Sequence, residues 1–177
     1  MEDKALKLNR RLWLMTTATS LFLLFLVIDL MKLDVGIFLT LNELGTALPS
    51  FIWAHITLLG DALIAMVLLT PFALRYPQVV WAAFLALPIA GVATRLLKNV
   101  IDMPRPPGFF EIEAFNLIGA PYSHHSFPSG HTLTAFAISA IIIFSLPHHQ
   151  RKRLLIGLAV IVGLSRIMVG IHWPTDV

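Results

Sequence analysis

The chain of 177 residues is 57% hydrophobic and 13% charged, with a mean hydropathy of +0.80 and apolar blocks too long for a small water-soluble core to bury. The formal charge is +3, but the basic residues lie at the ends of apolar blocks rather than in a stripe, which disfavours nucleic acid as a partner. The lack of cysteine excludes disulfides, thiolate nucleophiles and cysteine-ligated metals.

Five apolar blocks approach the roughly 20 residues that a helix needs to cross a bilayer. They cover residues 13–33, 52–74, 79–97, 132–146 and 154–171. The first block follows a basic segment and lacks a small-residue cleavage site, which predicts an uncleaved span rather than a signal peptide. The fourth block is short unless Gly130 and His131 belong to it.

Residues 34–50 mix apolar and polar side chains, which favours an interfacial helix between the first two spans. No repeat, low-complexity tract or linker divides the chain. The sequence therefore predicts an all-α fold, a polytopic transmembrane helix bundle in which residues 1–177 form a single membrane-embedded domain.

The distribution of Lys and Arg predicts the orientation of this bundle, because short cytoplasmic loops are enriched in these residues. The basic clusters are Lys4, Lys7, Arg10 and Arg11, then Arg75, then Arg151, Lys152 and Arg153. They fall on one side if the five blocks alternate. The prediction is a multi-pass protein of the cytoplasmic (inner) membrane, with a cytoplasmic N-terminus and with residues 98–129 and His172 on the extracytoplasmic, periplasmic face.

Tryptophans support this orientation if they form aromatic belts at the two interfaces. Trp13 and Trp81 then lie near the inner interface, and Trp53 and Trp173 near the outer one. Ordinary packing is the alternative for each of them.

Three polar segments converge on the extracytoplasmic face in this topology. They are Lys98 to Pro106, which contains Arg105; Pro128-Ser129-Gly130-His131; and Ser165-Arg166 through His172 to Asp176. Each segment alone has an ordinary explanation, such as an interfacial anchor, a turn or a structural hydrogen bond. Their occurrence together indicates a phosphate site.

The residue types suit a phosphoryl group. Arg105 and Arg166 can donate forked hydrogen bonds to phosphate oxygens, and Lys98 adds a compact positive charge. Ser129 is a candidate helix cap and phosphate donor, and Gly130 allows close backbone approach at the N-terminus of the fourth span. We therefore expect Lys98, Arg105, Ser129, Gly130 and Arg166 to bind the phosphate of the substrate.

Two histidines can divide the nucleophilic and acidic roles. Asp176 follows His172 by four residues, so its carboxylate can orient this imidazole and leave the other ring nitrogen as a neutral nucleophile. His131 has no carboxylate nearby in the sequence and fits the general acid.

These residues resemble the type 2 phosphatidic acid phosphatase superfamily, which includes lipid phosphate phosphatases, bacterial prenyl-diphosphate phosphatases and vanadium haloperoxidases. The family pattern is Lys, six residues, Arg-Pro; Pro-Ser-Gly-His; then Ser-Arg, five residues, His, three residues, Asp, and every specified position matches. The resemblance covers about residues 61–177. It implies a metal-independent mechanism through a phosphohistidine on His172, with no cofactor and no metal site.

Membrane members usually have six spans, so a sixth is expected after Val177 and the domain is expected to be C-terminally truncated.

The predicted function is an integral membrane phosphatase that hydrolyses a lipid phosphate or lipid diphosphate. An amphiphilic lipid phosphate is the expected substrate, with membrane lipids as surroundings and an undetermined oligomeric state. The alternatives are a lipid phosphotransferase that uses the same phosphohistidine, a non-catalytic membrane phosphate-binding or transport protein, and an inactive structural fragment.

Two further features leave alternatives open. Asp61 and Arg95 are charges inside apolar blocks, and they either form an ion pair or lie separately in the headgroup layer. The loop phenylalanines either line the path of a lipid tail or anchor the loop; they are Phe109, Phe110, Phe115 and Phe127.

Overall fold

The computed structural model describes residues 2–146 and 152–177, and all regular structure in these residues is helical. The helices are α1 (Glu2–Leu30), α2 (Asp34–Gly45), α3 (Ser50–Leu58), α4 (Ala62–Leu69), α5 (Pro77–Ile101), α6 (Pro106–Phe109), α7 (Gly130–Ser145) and α8 (Lys152–Met168). The prediction of an all-α fold is confirmed for the described residues. Arg151 and the side chains of the N-terminal basic cluster lie outside them.

The helices match the predicted spans unevenly. Among the described residues, the segment Pro77–Phe109 is long and apolar enough to cross a membrane by itself, and Asp34–Gly45 with Ser50–Leu58 qualifies only as a pair bent by 113°. The number of spans and the interfacial position of α2 therefore stay predictions. Gly130 and His131 do belong to α7, which lengthens the fourth block as expected.

The block at residues 52–74, predicted as one span, forms two helices instead. The chain leaves α3 after Leu58 and enters α4 at Ala62, and Asp61 caps α4 by accepting from the N–H groups of Leu63 at 2.9 Å and Ile64 at 3.1 Å. An Asp cap satisfies helix N–H groups that would otherwise have no partner. The surrounding apolar residues hide this signal in the sequence. We refer to residues 59–61 as the α3–α4 break.

Helices α7 and α8 form the centre of the bundle, with α5 packed on α7 and with α2 and α3 packed on α8. The interior contains many small polar side chains, including Thr94, Ser129, Thr132, Ser139 and Ser165. Large apolar side chains such as Leu63, Leu74 and Val100 are exposed on the outside. An apolar exterior around a polar, hydrogen-bonded interior suits a helix bundle in lipid.

An aromatic cluster anchors the long loop between α5 and α7. Trp173 is 5% exposed, packs against Phe38 and Phe110, and donates its indole N–H to the Pro104 carbonyl at 2.8 Å. Phe115 also packs against Phe38. Trp173 and these two loop phenylalanines therefore pack together, while the interfacial belt and the path of a lipid tail stay predictions.

The buried side chain of Asn42 ties α2 to this loop and to the end of α8. Its amide nitrogen donates to the carbonyls of Asn116 at 2.9 Å and of Ile167 and Met168 at 3.2 Å. Its amide oxygen accepts from the Asn116 N–H at 2.8 Å. One side chain therefore satisfies buried backbone groups on two segments far apart in the sequence.

We expect Asn42→Ala to lower the melting temperature of the detergent-purified protein by several degrees. Each buried backbone group left without a partner costs about 1 to 3 kcal/mol, and the substitution strands several of them. Glu43→Ala is the matched control, because Glu43 is the next residue on α2 and is exposed. Equal melting temperatures for the two variants would contradict this account.

Candidate active site

The segment after α8 brings an imidazole and a carboxylate together. Gly170, with φ of +82°, turns the chain at the end of α8, and a short 3-10 turn at Pro174–Asp176 then points the Asp176 side chain back. His172 Nδ1 lies 3.0 Å from Asp176 Oδ2, and the two residues are 2% and 4% exposed. A neutral imidazole that donates Nδ1–H to this carboxylate leaves the Nε2 lone pair free.

The Asp176 carboxylate is held by further contacts. Oδ2 also accepts from the Trp173 N–H at 2.8 Å and from the Ser126 hydroxyl. The Asp176 backbone carbonyl accepts from the Ser129 N–H at 2.9 Å, which joins this segment to the start of α7. The orientation of the carboxylate is therefore set by hydrogen bonds from its own segment, at His172 and Trp173, and from Ser126 in the loop before α7.

Asp34, at the start of α2, clamps the residue next to Asp176. Its two oxygens accept from the Thr175 N–H at 3.0 Å and the Thr175 hydroxyl at 2.7 Å. Sequence reasoning missed Asp34 and also Ser126. Nothing in the local pattern connects Asp34 with a residue 141 positions away.

Backbone carbonyls of the loop before α7 hold two of the predicted cations. Lys98, in the last turn of α5, donates to the carbonyls of His125 and Ser126. Arg105 donates Nε–H to the His124 carbonyl at 2.9 Å and Nη2–H to the His125 carbonyl at 3.3 Å. The carbonyl dipoles fix both side chains without neutralising their charge.

Arg166, on the last turn of α8, is the most buried of the three cations. It is 8% exposed and donates Nη1–H to the Thr57 hydroxyl at 2.6 Å, while its Nε–H has no partner among the described residues. The ion pairs of the described residues include no carboxylate for Lys98, Arg105 or Arg166. Three converging cations with neutral partners favour an anionic ligand.

The N-terminus of α7 completes the oxyanion site. Ser129 is the cap residue, and its hydroxyl accepts from the Thr132 hydroxyl at 2.9 Å and from the Thr132 N–H at 3.4 Å. A Cβ at Gly130 would meet only Thr94 Cγ2, at 4.0 Å, which leaves space above the helix end. The free N–H groups and the positive end of the helix dipole favour an anion in this space.

His131 follows in the first turn of α7 and faces a cavity of about 840 Å³ between α4, α5 and α7. Lys98 and Gly130 line the same cavity, whose walls also carry apolar side chains such as Leu87 and Leu133. The His131 imidazole makes no hydrogen bond with another described residue. The structure thus brings all eight predicted site residues to one end of the bundle, with the two imidazoles in different surroundings.

Burial lowers the pKa of the His172 imidazole from 6.5 to about 4, and the Arg105 and Arg166 charges act in the same direction. The hydrogen bond to Asp176 opposes this shift without cancelling it. His172 is consequently neutral at physiological pH, the state that a nucleophile requires.

The fold and the site define an all-helical bundle with a cationic end that carries a buried His–Asp pair. A model of the PAP2 superfamily matches residues 79–177, and the chain belongs to this superfamily.

Two similar proteins are named as lipid phosphatases. Lipid A 1-phosphatase of Rhizobium johnstonii is 36% identical over 98 residues, which are 53% of this chain and 38% of that protein. Phosphatidylglycerophosphatase B of Bacillus subtilis is 29% identical over 139 residues, 69% of this chain and 63% of that protein. The matched part of this chain therefore spans less than two thirds of either relative.

A solved structure shares the fold. The crystal structure of Aquifex aeolicus LpxE superimposes with a TM-score of 0.69 at 28% identity and covers 81% of this chain and 85% of that one. The helical arrangement around the site is therefore that of a PAP2 protein.

We expect Arg166→Lys to weaken the binding of orthovanadate, a phosphate-shaped oxyanion, by about 10-fold, because lysine cannot supply the buried Nε–H donor beside the site. Isothermal titration of the detergent-purified protein measures the affinity. Arg75→Lys is the matched control, since Arg75 is exposed beside Tyr76 at the turn before α5. Equal affinities for the two variants would exclude Arg166 from the anion site.

Proposed function

We propose that the chain is an integral membrane phosphatase that hydrolyses a lipid phosphate or lipid diphosphate through a phosphohistidine. The observation that carries the proposal is the buried His172–Asp176 pair, since mere binding of phosphate needs cations and N–H donors but no oriented nucleophile. The active site is proposed to lie on the extracytoplasmic face.

The first chemical step transfers the phosphoryl group to the protein. His172 Nε2 attacks phosphorus, the bond from phosphorus to the leaving oxygen breaks, and His131 gives its proton to that oxygen. Asp176 stabilises the positive charge that develops on the His172 ring. In the second step water attacks the phosphohistidine, its proton returns to His131, and inorganic phosphate leaves.

The cations and the helix end stabilise the charge of the transferred group. Lys98, Arg105 and Arg166 would neutralise the equatorial oxygens, and the N-terminus at Ser129 and Gly130 would donate backbone N–H groups. Because these donors are already fixed by the loop carbonyls and by Thr57, little reorganisation is needed during the reaction.

A lipid phosphate is supported as the substrate class by two observations. The cavity in front of His131 has apolar walls and lies between helices with apolar exteriors. The named relatives act on lipid A and on phosphatidylglycerophosphate. An amphiphile can place its phosphate among the cations and its apolar part along this cavity.

The test is phosphate release from a panel of lipid phosphates by detergent-purified protein. We expect His172→Ala to abolish turnover. We also expect radiolabelled lipid phosphate to transfer an acid-labile label to the unaltered protein but not to this variant. His55→Ala is the control, because His55 is exposed on α3. Undiminished turnover of His172→Ala would exclude the phosphohistidine.

Loss of activity with EDTA would exclude metal independence, and phosphorylated acceptor lipid in place of free phosphate would identify a phosphotransferase.

The lowered pKa of His172 predicts how phosphoryl transfer depends on pH. A histidine whose pKa falls from 6.5 to about 4 keeps its neutral form to lower pH and loses it only as the pH approaches 4. Once the titration of the substrate phosphate, whose second pKa is about 6, is corrected for, the burst of p-nitrophenol from p-nitrophenyl phosphate should therefore stay constant from about pH 7 to about pH 5, because its leaving group needs no proton. A burst that halves near pH 6.5 would show an ordinary imidazole.

A further inference from the structure

The α3–α4 break is pressed against the first turn of α7. A Cβ placed on Gly60 would lie 2.8 Å from both the Cβ and the carbonyl oxygen of His131, and 2.8 Å from Val162 Cγ1. Only glycine allows the backbone to approach so closely. The close approach places the next residue, Asp61, beside the histidine proposed as the general acid.

Asp61 lines the same cavity as His131 and is the only acidic side chain among the described residues that do so. Oδ1 caps α4, while Oδ2 has no hydrogen-bond partner in the described part of the chain. The ion pair with Arg95 considered from the sequence does not form there, since no described ion pair includes Asp61. One carboxylate oxygen is therefore available to the cavity.

The other charges around His131 are positive. Burial of the ring disfavours a protonated imidazole most, Arg166 on α8 and Arg105 on the loop repel it, and the Asp61 carboxylate attracts it. Lys98, Arg95 and the half-exposed His125 also line the cavity. A general acid must carry its proton when the leaving oxygen departs, and the cations that bind phosphate act against this requirement.

We infer that Asp61 is a positioning residue for His131, with its carboxylate stabilising the protonated imidazole beside the leaving oxygen. The inference rests on the general-acid role of His131 in the proposed function. The cap on α4 fixes the carboxylate, so its distance from the α7 turn is set by the backbone contact at Gly60.

Asp61→Asn tests the inference, because asparagine caps a helix as well as aspartate does but has no charge. With a lipid phosphate, whose alkoxide leaving group needs a proton, we expect kcat to fall by about 10-fold or more. With p-nitrophenyl phosphate we expect less than about a 3-fold change in the rate of the p-nitrophenol burst, which reports the first step alone, since nitrophenolate leaves unaided. The alkaline limb of the kcat profile for the lipid should also move to lower pH, and Asp61→Glu should restore part of the lipid activity.

His131→Gln separates this inference from the proposed function. A selective loss of lipid turnover in His131→Gln, accompanied by the same selectivity in Asp61→Asn, supports both. Equal slowing of lipid turnover and of the p-nitrophenol burst by His131→Gln would overturn the general-acid role and the inference with it. The inference alone would be overturned if His131→Gln slowed the lipid reaction selectively but Asp61→Asn changed neither reaction, or slowed the reactions of both esters equally.

A measurement without turnover gives a second readout. In an NMR titration of histidine-labelled protein, the His131 signal should lose its proton at lower pH in Asp61→Asn than in the unaltered protein. The melting temperature of the variant is measured alongside. An unchanged His131 titration in a folded variant would overturn the inference.

Discussion

The concentration of positive charge at one end of an apolar bundle is the constraint on which the rest of the structure depends. Lys98, Arg105 and Arg166 lie close enough to repel one another, and burial removes the water that would screen them. Uncharged groups hold them, namely the carbonyls of the loop before α7 and the Thr57 hydroxyl. Dipoles orient a cation but leave its charge for a ligand, so the free energy of this end of the bundle is lowest when an oxyanion is bound.

The same constraint explains why so many contacts hold the segment around Asp176. A carboxylate near three cations is drawn toward them and would compete with phosphate for their N–H groups. Instead, the Asp176 oxygen that meets His172 also accepts from Trp173 and Ser126, and Asp34 clamps the adjacent Thr175. Oδ2 of Asp176 is thus held by the imidazole, Trp173 and Ser126, whereas the buried Oδ1 has no hydrogen-bond partner among the described residues.

Much of this site could be predicted from the sequence, because its motifs are local. The spacing of His172 and Asp176 sets a hydrogen bond within one turn, and Pro128-Ser129-Gly130 carries the signal for the start of α7. The missed features depend on contacts between distant segments. The clamp by Asp34 joins the first third of the chain to its last residues, and the α3–α4 break depends on an Asp cap within an apolar run. Residue type predicts an interfacial position for Trp173 but not its packing against Phe38 and Phe110, which brings together segments distant in the sequence.

The two histidines place opposite demands on one electrostatic field. The proposed phosphoryl transfer requires a neutral His172 and a protonated His131, yet the same arginines lie near both rings. For His172 the cations and the burial act together toward the neutral form, and Asp176 can orient the ring without charging it. For His131 the cations act against the required form, so a second carboxylate is needed that is close enough to offset them but too far from the phosphate to repel it. The α3–α4 break is proposed to meet this need, because it replaces a continuous helix with a glycine contact to His131 and a capped carboxylate that lines the same cavity.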